Sequence, residues 1–259
     1  MGTVKVEQYT VVGYMNAQLP NGVPFHASSL VIQPRGVAAY DDNAVGDEPF
    51  LFINFPKTLE VKTFPMEPQE KGDVWAYLGS AFTGYASNGE LGIERLNDAA
   101  GPLKAHFEFE VSGEGTPFKV TDGAFELQVS ERAHTDEATG AAGAQVEPAL
   151  EGNNGFNATL INLNYGQDGK PNSLLIVQQR DLEYGLSDLG AFIRLDTDGV
   201  LGVRAVVGNG LIAADEGSLD YSDFHYEEGV ALSFVFSFSF RWKGKVYRFE
   251  KGRVKLDLR

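Results

Sequence analysis

At 259 residues, with 43% hydrophobic and 12% aromatic residues, the chain is long enough for one large β domain or two of ordinary size, and its composition excludes a disordered polymer. Its 21 Lys and Arg against 36 Asp and Glu give a formal net charge of −15, which excludes the clustered cationic surface that nucleic acid or anionic lipid requires. The absence of Cys excludes disulfides, thiolate nucleophiles and Cys-based zinc sites, and says little about compartment.

The opening MGTVKVEQYTVVGYM lacks a charged n-region followed by an apolar h-region, and no run of about 18 apolar residues follows anywhere. As given, the chain is expected neither to span a membrane nor to carry a signal peptide. VKVEQYTVVGYM reads as a strand. LPNGVPFHASSLVI then places Leu19, Phe25, Ala27, Leu30 and Ile32 in a spacing that recurs, offset by 131 residues, as Leu150, Phe156, Ala158, Ile161 and Leu163 of LEGNNGFNATLINL. The acidic loop DDNAVGDE follows, with Asp41, Asp42 and Asp47. FLFINF (50–55) and DVWAYLG (73–79) read as strands, the first apolar on both faces and so covered on two sides. Trp75 and Tyr77 share one face of DVWAYLG, where an aromatic platform for a ligand and ordinary core packing predict the same residues.

NGELGI at 88–93 finds a counterpart in EGSLDY at 216–221, offset by 128. FEFEVSGEGTPFKVTDGAFELQV (107–129) alternates apolar and polar residues, interrupted by SGEG and by Asp122–Gly123, which predicts a three-stranded antiparallel meander with one buried face. His106 is expected to point outward, opposite to Phe107. The run FSFSFRWKGKVYRFEKGRVKLDL (236–258) repeats this meander at an offset of 129 without a gap: Phe107 falls on Phe236, Val120 on Phe249, Gly123 on Gly252 and Leu127 on Leu256. Trp242 continues the parity of Phe236, Phe238 and Phe240 and is expected to cap the core. Between the halves, ERAHTDEATGAAGAQVEP (131–148) lacks β-branched runs and reads as a linker. LLIVQQ (174–179), AFIRLDT (191–197) and LGVRAVVG (201–208) read as further strands, and LEYGLSDLG as a short helix.

The predicted fold is all-β: two similar antiparallel β-sandwich or partly open β-barrel domains in tandem, covering residues 1–130 and 149–259, joined by the linker 131–148. Both halves resemble an uncharacterised β-rich domain of bacterial exported proteins and lipoproteins. NGVPFHA at 21–27, GELGI at 89–93, HFEFEV at 106–111 and VTDGAF at 120–125 carry the resemblance, and the first half fits best, since the second replaces VTDGAF with FEKGRV. The resemblance implies a location outside the cytoplasm, extracellular or in the periplasm or cell envelope. It brings no activity, and the lipid-bearing cysteine such proteins often have near the N-terminus is missing.

His26, His106, His134 and His225 form no metal-ligand or catalytic spacing, and no nucleophile elbow, phosphate loop or dinucleotide fingerprint occurs. The loops holding Asp41, Asp42 and Asp47, and Asp196 and Asp198 of DTDG, offer hard oxygen ligands that suit calcium, although Asp-Gly and Asp-Asp are also ordinary turn formers. Tyr221, Phe224 and Tyr226 of LDYSDFHYEEG form the least core-like aromatic group. The expectation is a non-catalytic exported or cell-envelope protein that binds a glycan, peptide or protein partner through loops. The alternatives are a carboxylate-based hydrolase with its site in an interdomain cleft, and a structural protein assembling through sheet edges.

Overall fold

The computed structural model describes residues 2–33, 36–41, 49–69, 71–79, 84–98, 101–112, 117–132, 138–150, 152–179, 188–208 and 210–259. Among them there is no α-helix, and a 3-10 turn at Pro20–Gly22 is the one helical element. Twenty strands follow in chain order. The first ten are β1 (Val4–Leu19), β2 (Val23–His26), β3 (Ser29–Gln33), β4 (Gly36–Tyr40), β5 (Phe50–Asn54), β6 (Thr63–Met66), β7 (Trp75–Gly79), β8 (Gly84–Arg95), β9 (Leu103–Val111) and β10 (Phe118–Glu131). The rest are β11 (Thr139–Leu150), β12 (Asn153–Asn157), β13 (Leu160–Tyr165), β14 (Pro171–Gln178), β15 (Leu189–Leu195), β16 (Val200–Val207), β17 (Gly210–Ala213), β18 (Asp220–Glu227), β19 (Ala231–Trp242) and β20 (Lys245–Asp257).

Two compact units divide the chain: an N-terminal unit, Thr10–Ser130, and a C-terminal unit that combines Met1–Tyr9 with Glu131–Arg259. Both are antiparallel and follow one order of pairing, which a sandwich or an open barrel accommodates. In the N-terminal unit β1 pairs β2, β3–β4–β5–β7–β8 form a run of neighbours, and β8 pairs β9, which pairs β10. In the C-terminal unit β11 pairs β12, β13–β14–β15–β16–β17 form the run, and β18–β19–β20–β11 complete it. A bridge between Ala214 and Phe240 carries the chain from β17 toward β19.

The closing strands show why the sequence alternates as it does. Val120 lies opposite Phe109 and Gly123 opposite Phe107, with a β-bulge between them. In the C-terminal unit Phe249 lies opposite Phe238 and Gly252 opposite Phe236, with a register shift at the same place. Asp122 and Lys251, 129 residues apart, both take a left-handed φ of 51° in their bulges. The expected three-stranded meander is therefore a two-stranded hairpin: Asp122–Gly123 is a bulge inside one long strand, and the extra residue flips side-chain parity without turning the chain. At the tip of the C-terminal hairpin, Trp242 pairs with Lys245 around Lys243 (φ 49°) and Gly244 (φ 75°), the two positive φ values of a tight hairpin turn.

The core of the C-terminal unit is an aromatic ladder. Phe234, Phe236, Phe238 and Phe240 stand 6.0–6.2 Å apart along β19, and Phe249 crosses Phe238 edge-on at 5.1 Å. Trp242 packs against this core, as its parity predicted. In the N-terminal unit Phe107 and Phe109 occupy the positions of Phe236 and Phe238, Phe125 packs on Phe107 from the position of Val254, and His106 points outward. Strand β5 is buried along its whole length, and β14 is buried on both faces from Ser173 to Val177.

The linker expected at 131–148 is replaced by strand β11 over Thr139–Leu150, which pairs with β20 along one edge and with β12 and the start of β1 along the other. Its small residues are a packing requirement: a Cβ on Gly140 would collide with Leu256 and press on Val6. Residues 1–9 accordingly belong with the C-terminal half, not with residues 10–130. The counterpart of NGELGI also moves. Leu91 faces Phe107 while Tyr221 faces Phe236, so Leu91 corresponds to Tyr221 and not to Leu219. Residues 180–187, most of the expected short helix, lie outside the described residues.

Candidate functional site

The aromatic group of LDYSDFHYEEG lies on β18. This strand pairs with β19 from Asp220–Ser237 to Glu227–Ala231, with a bulge between Ser222 and His225 centred on Asp223 (φ 54°). An unbroken strand would put Tyr221 and Phe224 on opposite faces. The bulge inserts one residue, so Tyr221, Phe224 and Tyr226 all take the face of the core-pointing Phe236, Phe234 and Leu232. Phe224 stacks on Phe234 at 5.8 Å, whereas Tyr221 is 41% exposed. The result is an apolar lip where the aromatic core reaches the surface. Tyr221 leans toward the turn after β15: a Cβ on Gly199 would sit 2.5 Å from its hydroxyl oxygen.

The far end of the lip is polar. Burial, then the nearby Glu228 carboxylate, push the Tyr226 phenol above its ordinary pKa. Tyr165, raised first by burial, donates its hydroxyl to Gln8 Oε1 at 2.7 Å, and the Arg132 guanidinium lies 3.9 Å over its ring. Arg132 also donates from Nη1 to the Gly169 carbonyl at 3.4 Å. Gln8 and Tyr165 are 157 residues apart, so no local spacing signals this group. Between residues 215 and 228 the sequence holds six acidic side chains and no Lys or Arg.

The other predicted positions behave differently. Trp75 is 2% exposed and packs on Phe52 at 5.0 Å and Tyr85 at 5.7 Å. Tyr77 packs on Phe50 at 5.7 Å and Tyr85 at 4.9 Å. Trp75 is buried and Tyr77 half-buried in one aromatic cluster, which matches the core-packing alternative of the two readings of β7. Asp41 is 8% exposed, and its Oδ2 accepts from the His26 backbone N–H at 3.4 Å. Asp42 and Asp47 lie outside the described residues. Asp196 Oδ1 accepts from the Asp198 N–H at 2.7 Å and the Gly199 N–H at 2.9 Å, so DTDG is a side-chain-closed turn. Among the described residues no three His, Asp or Glu side chains gather as a metal site.

Two further features have polar character. On the outer face of β9 and β8, Glu94 meets Lys104 Nζ at 2.8 Å and His106 Nδ1 at 3.3 Å, an exposed row whose hydrogen bonds, that of Lys104 first, lower the Glu94 pKa. A cleft of about 500 Å³ lies between the Gln18–Gly22 turn and Pro117–Thr121 of the N-terminal unit. The row lies on an exposed strand face, and the cleft is lined by one charged side chain, Lys119.

Fold and lip together define an all-β protein of two antiparallel units, with an aromatic edge on the second. Comparisons with models of protein families, with curated proteins and with solved structures find no match.

Proposed function

We propose that this is a non-catalytic binding protein whose ligand contacts are made by the β18 lip. The observation that carries this reading is one aromatic face on which Tyr221 is exposed while Phe224 and Tyr226 are half-buried against a core of phenylalanines, flanked in sequence by acidic residues. Aromatic rings with one apolar side and one wet side supply contact area at small entropic cost and are favoured where proteins meet ligands. Coincidence of the bulges at Asp122 and Lys251, and of the pairing order in the two units, supports an origin by tandem duplication. The resemblance to domains of exported proteins supports a place outside the cytoplasm. Screening the full chain on peptide and glycan arrays, beside Tyr221→Ser and Tyr226→Ser variants of equal stability, tests the reading. A ligand lost in both variants is expected, and retention of every ligand in both would overturn it.

A further inference from the structure

β8 and β18 occupy the same place in their units. Ala86 pairs with Val111 and Ala214 with Phe240; Leu91 faces Phe107 and Tyr221 faces Phe236; register then breaks between Ile93 and Arg95 in one and between Ser222 and His225 in the other. Their surroundings differ. The second edge of β8 is taken by β6, in the register Thr63–Gly92, Phe64–Leu91, Pro65–Glu90 and Met66–Gly89. β6 belongs to the connection 55–74, which joins β5 to β7 and folds back over β8. The corresponding strands β15 and β16 are joined by residues 196–199 alone, closed by Asp196. No counterpart of β6 exists there, and among the described residues β18 pairs with β19 only. The consequence is visible at the matched positions: Leu91, beneath Phe64, is fully buried, and Tyr221 is 41% exposed.

We propose that this edge, at Leu219–Ser222, binds an extended segment of a partner protein bearing Lys or Arg, which adds as an antiparallel strand in the place β6 fills in the other unit. The proposal rests on the reading of β18 as the ligand-binding lip and names its ligand. β6 shows what the site takes: its exposure alternates, with Phe64 and Met66 buried and Thr63 and Pro65 exposed, so the segment carries apolar residues at alternate positions, one of them against Tyr221. The bulge at Asp223 twists the edge away beyond Ser222 and limits docking to Asp220–Ser222 of β18 with Leu219 just before it, opposite the four-residue β6 register. Charge selects the flanks. Of the six acids between residues 215 and 228, Asp215 is paired with Arg241 at 3.6 Å; the other five attract a cationic segment and repel a second copy of this chain, whose net charge is −15.

The test uses the full chain and a fluorescein-labelled peptide, Lys-Val-Lys-Thr-Phe-Pro-Met-Lys, which sets the sequence 61–66 between lysines. The same peptide with glutamate at each lysine, and a panel of neutral oligosaccharides, serve as comparisons. Saturable anisotropy, slowed amide exchange across residues 219–222, and affinity at least about tenfold weaker in Tyr221→Arg and in Asp220→Lys are expected. Both side chains are exposed, so the variants keep the wild-type circular dichroism. Binding with unchanged exchange at 219–222, equal affinity of the glutamate peptide, or no peptide binding overturns the proposal. Protection of the lip by an oligosaccharide and by neither peptide overturns the strand and keeps the binding reading; protection by no probe overturns both.

Discussion

Gly252 and Phe236 face each other across β20 and β19, and alanine at 252 reveals what the ring does there. An added Cβ lands 2.7 Å from three ring carbons of Phe236, against an ordinary carbon–carbon separation of about 3.5–4.0 Å. The ring is 3% exposed, with Phe234 at 6.1 Å and Phe238 at 6.2 Å on either side, so it cannot swing away without displacing the ladder. Overpacking of this kind costs about 1–3 kcal/mol. Gly252 lacks a positive φ, so alanine also narrows the unfolded ensemble, which offsets about 0.4–1 kcal/mol. Gly252→Ala should therefore destabilise the C-terminal unit by about 1–2 kcal/mol. Phe236→Ala alone should cost about 3–5 kcal/mol. In that background the ring is gone, the new methyl enters vacated space, and Gly252→Ala should change sign to stabilise by about 0.5–1 kcal/mol. Urea unfolding of the four proteins measures this, in a Trp75→Phe background that leaves Trp242 fluorescence to report the C-terminal unit. An equal cost of Gly252→Ala in both backgrounds would refute the ring as the reason for the glycine.

Three further outcomes are expected. The Arg259 side-chain hydrogen bonds, then its backbone N–H, hold the Asp257 carboxyl down at about 2. A depressed carboxylate stabilises above its unfolded pKa, and that contribution is lost as pH falls from about 3.9 through about 2. An NMR titration should place the Asp257 midpoint there and return it to the ordinary carboxylate range in Arg259→Gln. Burial first, and Tyr77 second, push the Tyr85 phenol up to about 12. Between the ordinary value near 10 and about 12 the unfolded chain loses this proton first, so stability falls across that window, and ultraviolet titration should show a late phenolate absent from Tyr85→Phe. Asp196→Ala removes the acceptor of two turn N–H groups and should cost about 1–2 kcal/mol in urea unfolding, whereas Asp196→Asn, which keeps an acceptor, should recover most of it.

The sequence was most informative where strands alternate between a solvent face and a core face. Phe107, Phe109, Phe125, Phe236, Phe238 and Phe249 are all 3% exposed or less, and the glycines matched by the 129-residue offset lie under matched rings. Three readings failed for physical reasons. Asp122–Gly123 has turn composition, and a bulge needs the same positive φ that a turn does, so only pairing with β9 distinguishes them. Strand β11 alternates correctly through Ala138, Gly140, Ala142, Ala144 and Val146, but with residues of poor strand propensity, chosen because bulky neighbours leave no room. The offset at NGELGI slipped because two extra residues enter between the Ala214 bridge and β18, and composition does not mark where an insertion falls. Of the candidate site, Tyr221, Phe224 and Tyr226 were legible as the least core-like aromatic group. The open edge beside them was not, since it follows from the absence of a strand whose counterpart lies far away in the chain.

The placement of Val4–Tyr9 has a consequence for synthesis. The N-terminal unit is an unbroken piece of chain, but the C-terminal unit opens with residues made before it and closes with β20, made after it. As the chain leaves the ribosome, the start of β1 must wait for β11 before Val4 meets Gly140, and β11 must wait for β20 before its other edge is covered. The N-terminal unit is thus an insertion within the other in order of folding as well as in sequence. Residues 131–259 released alone, without Val4–Tyr9, would lack the strand that pairs with the start of β11.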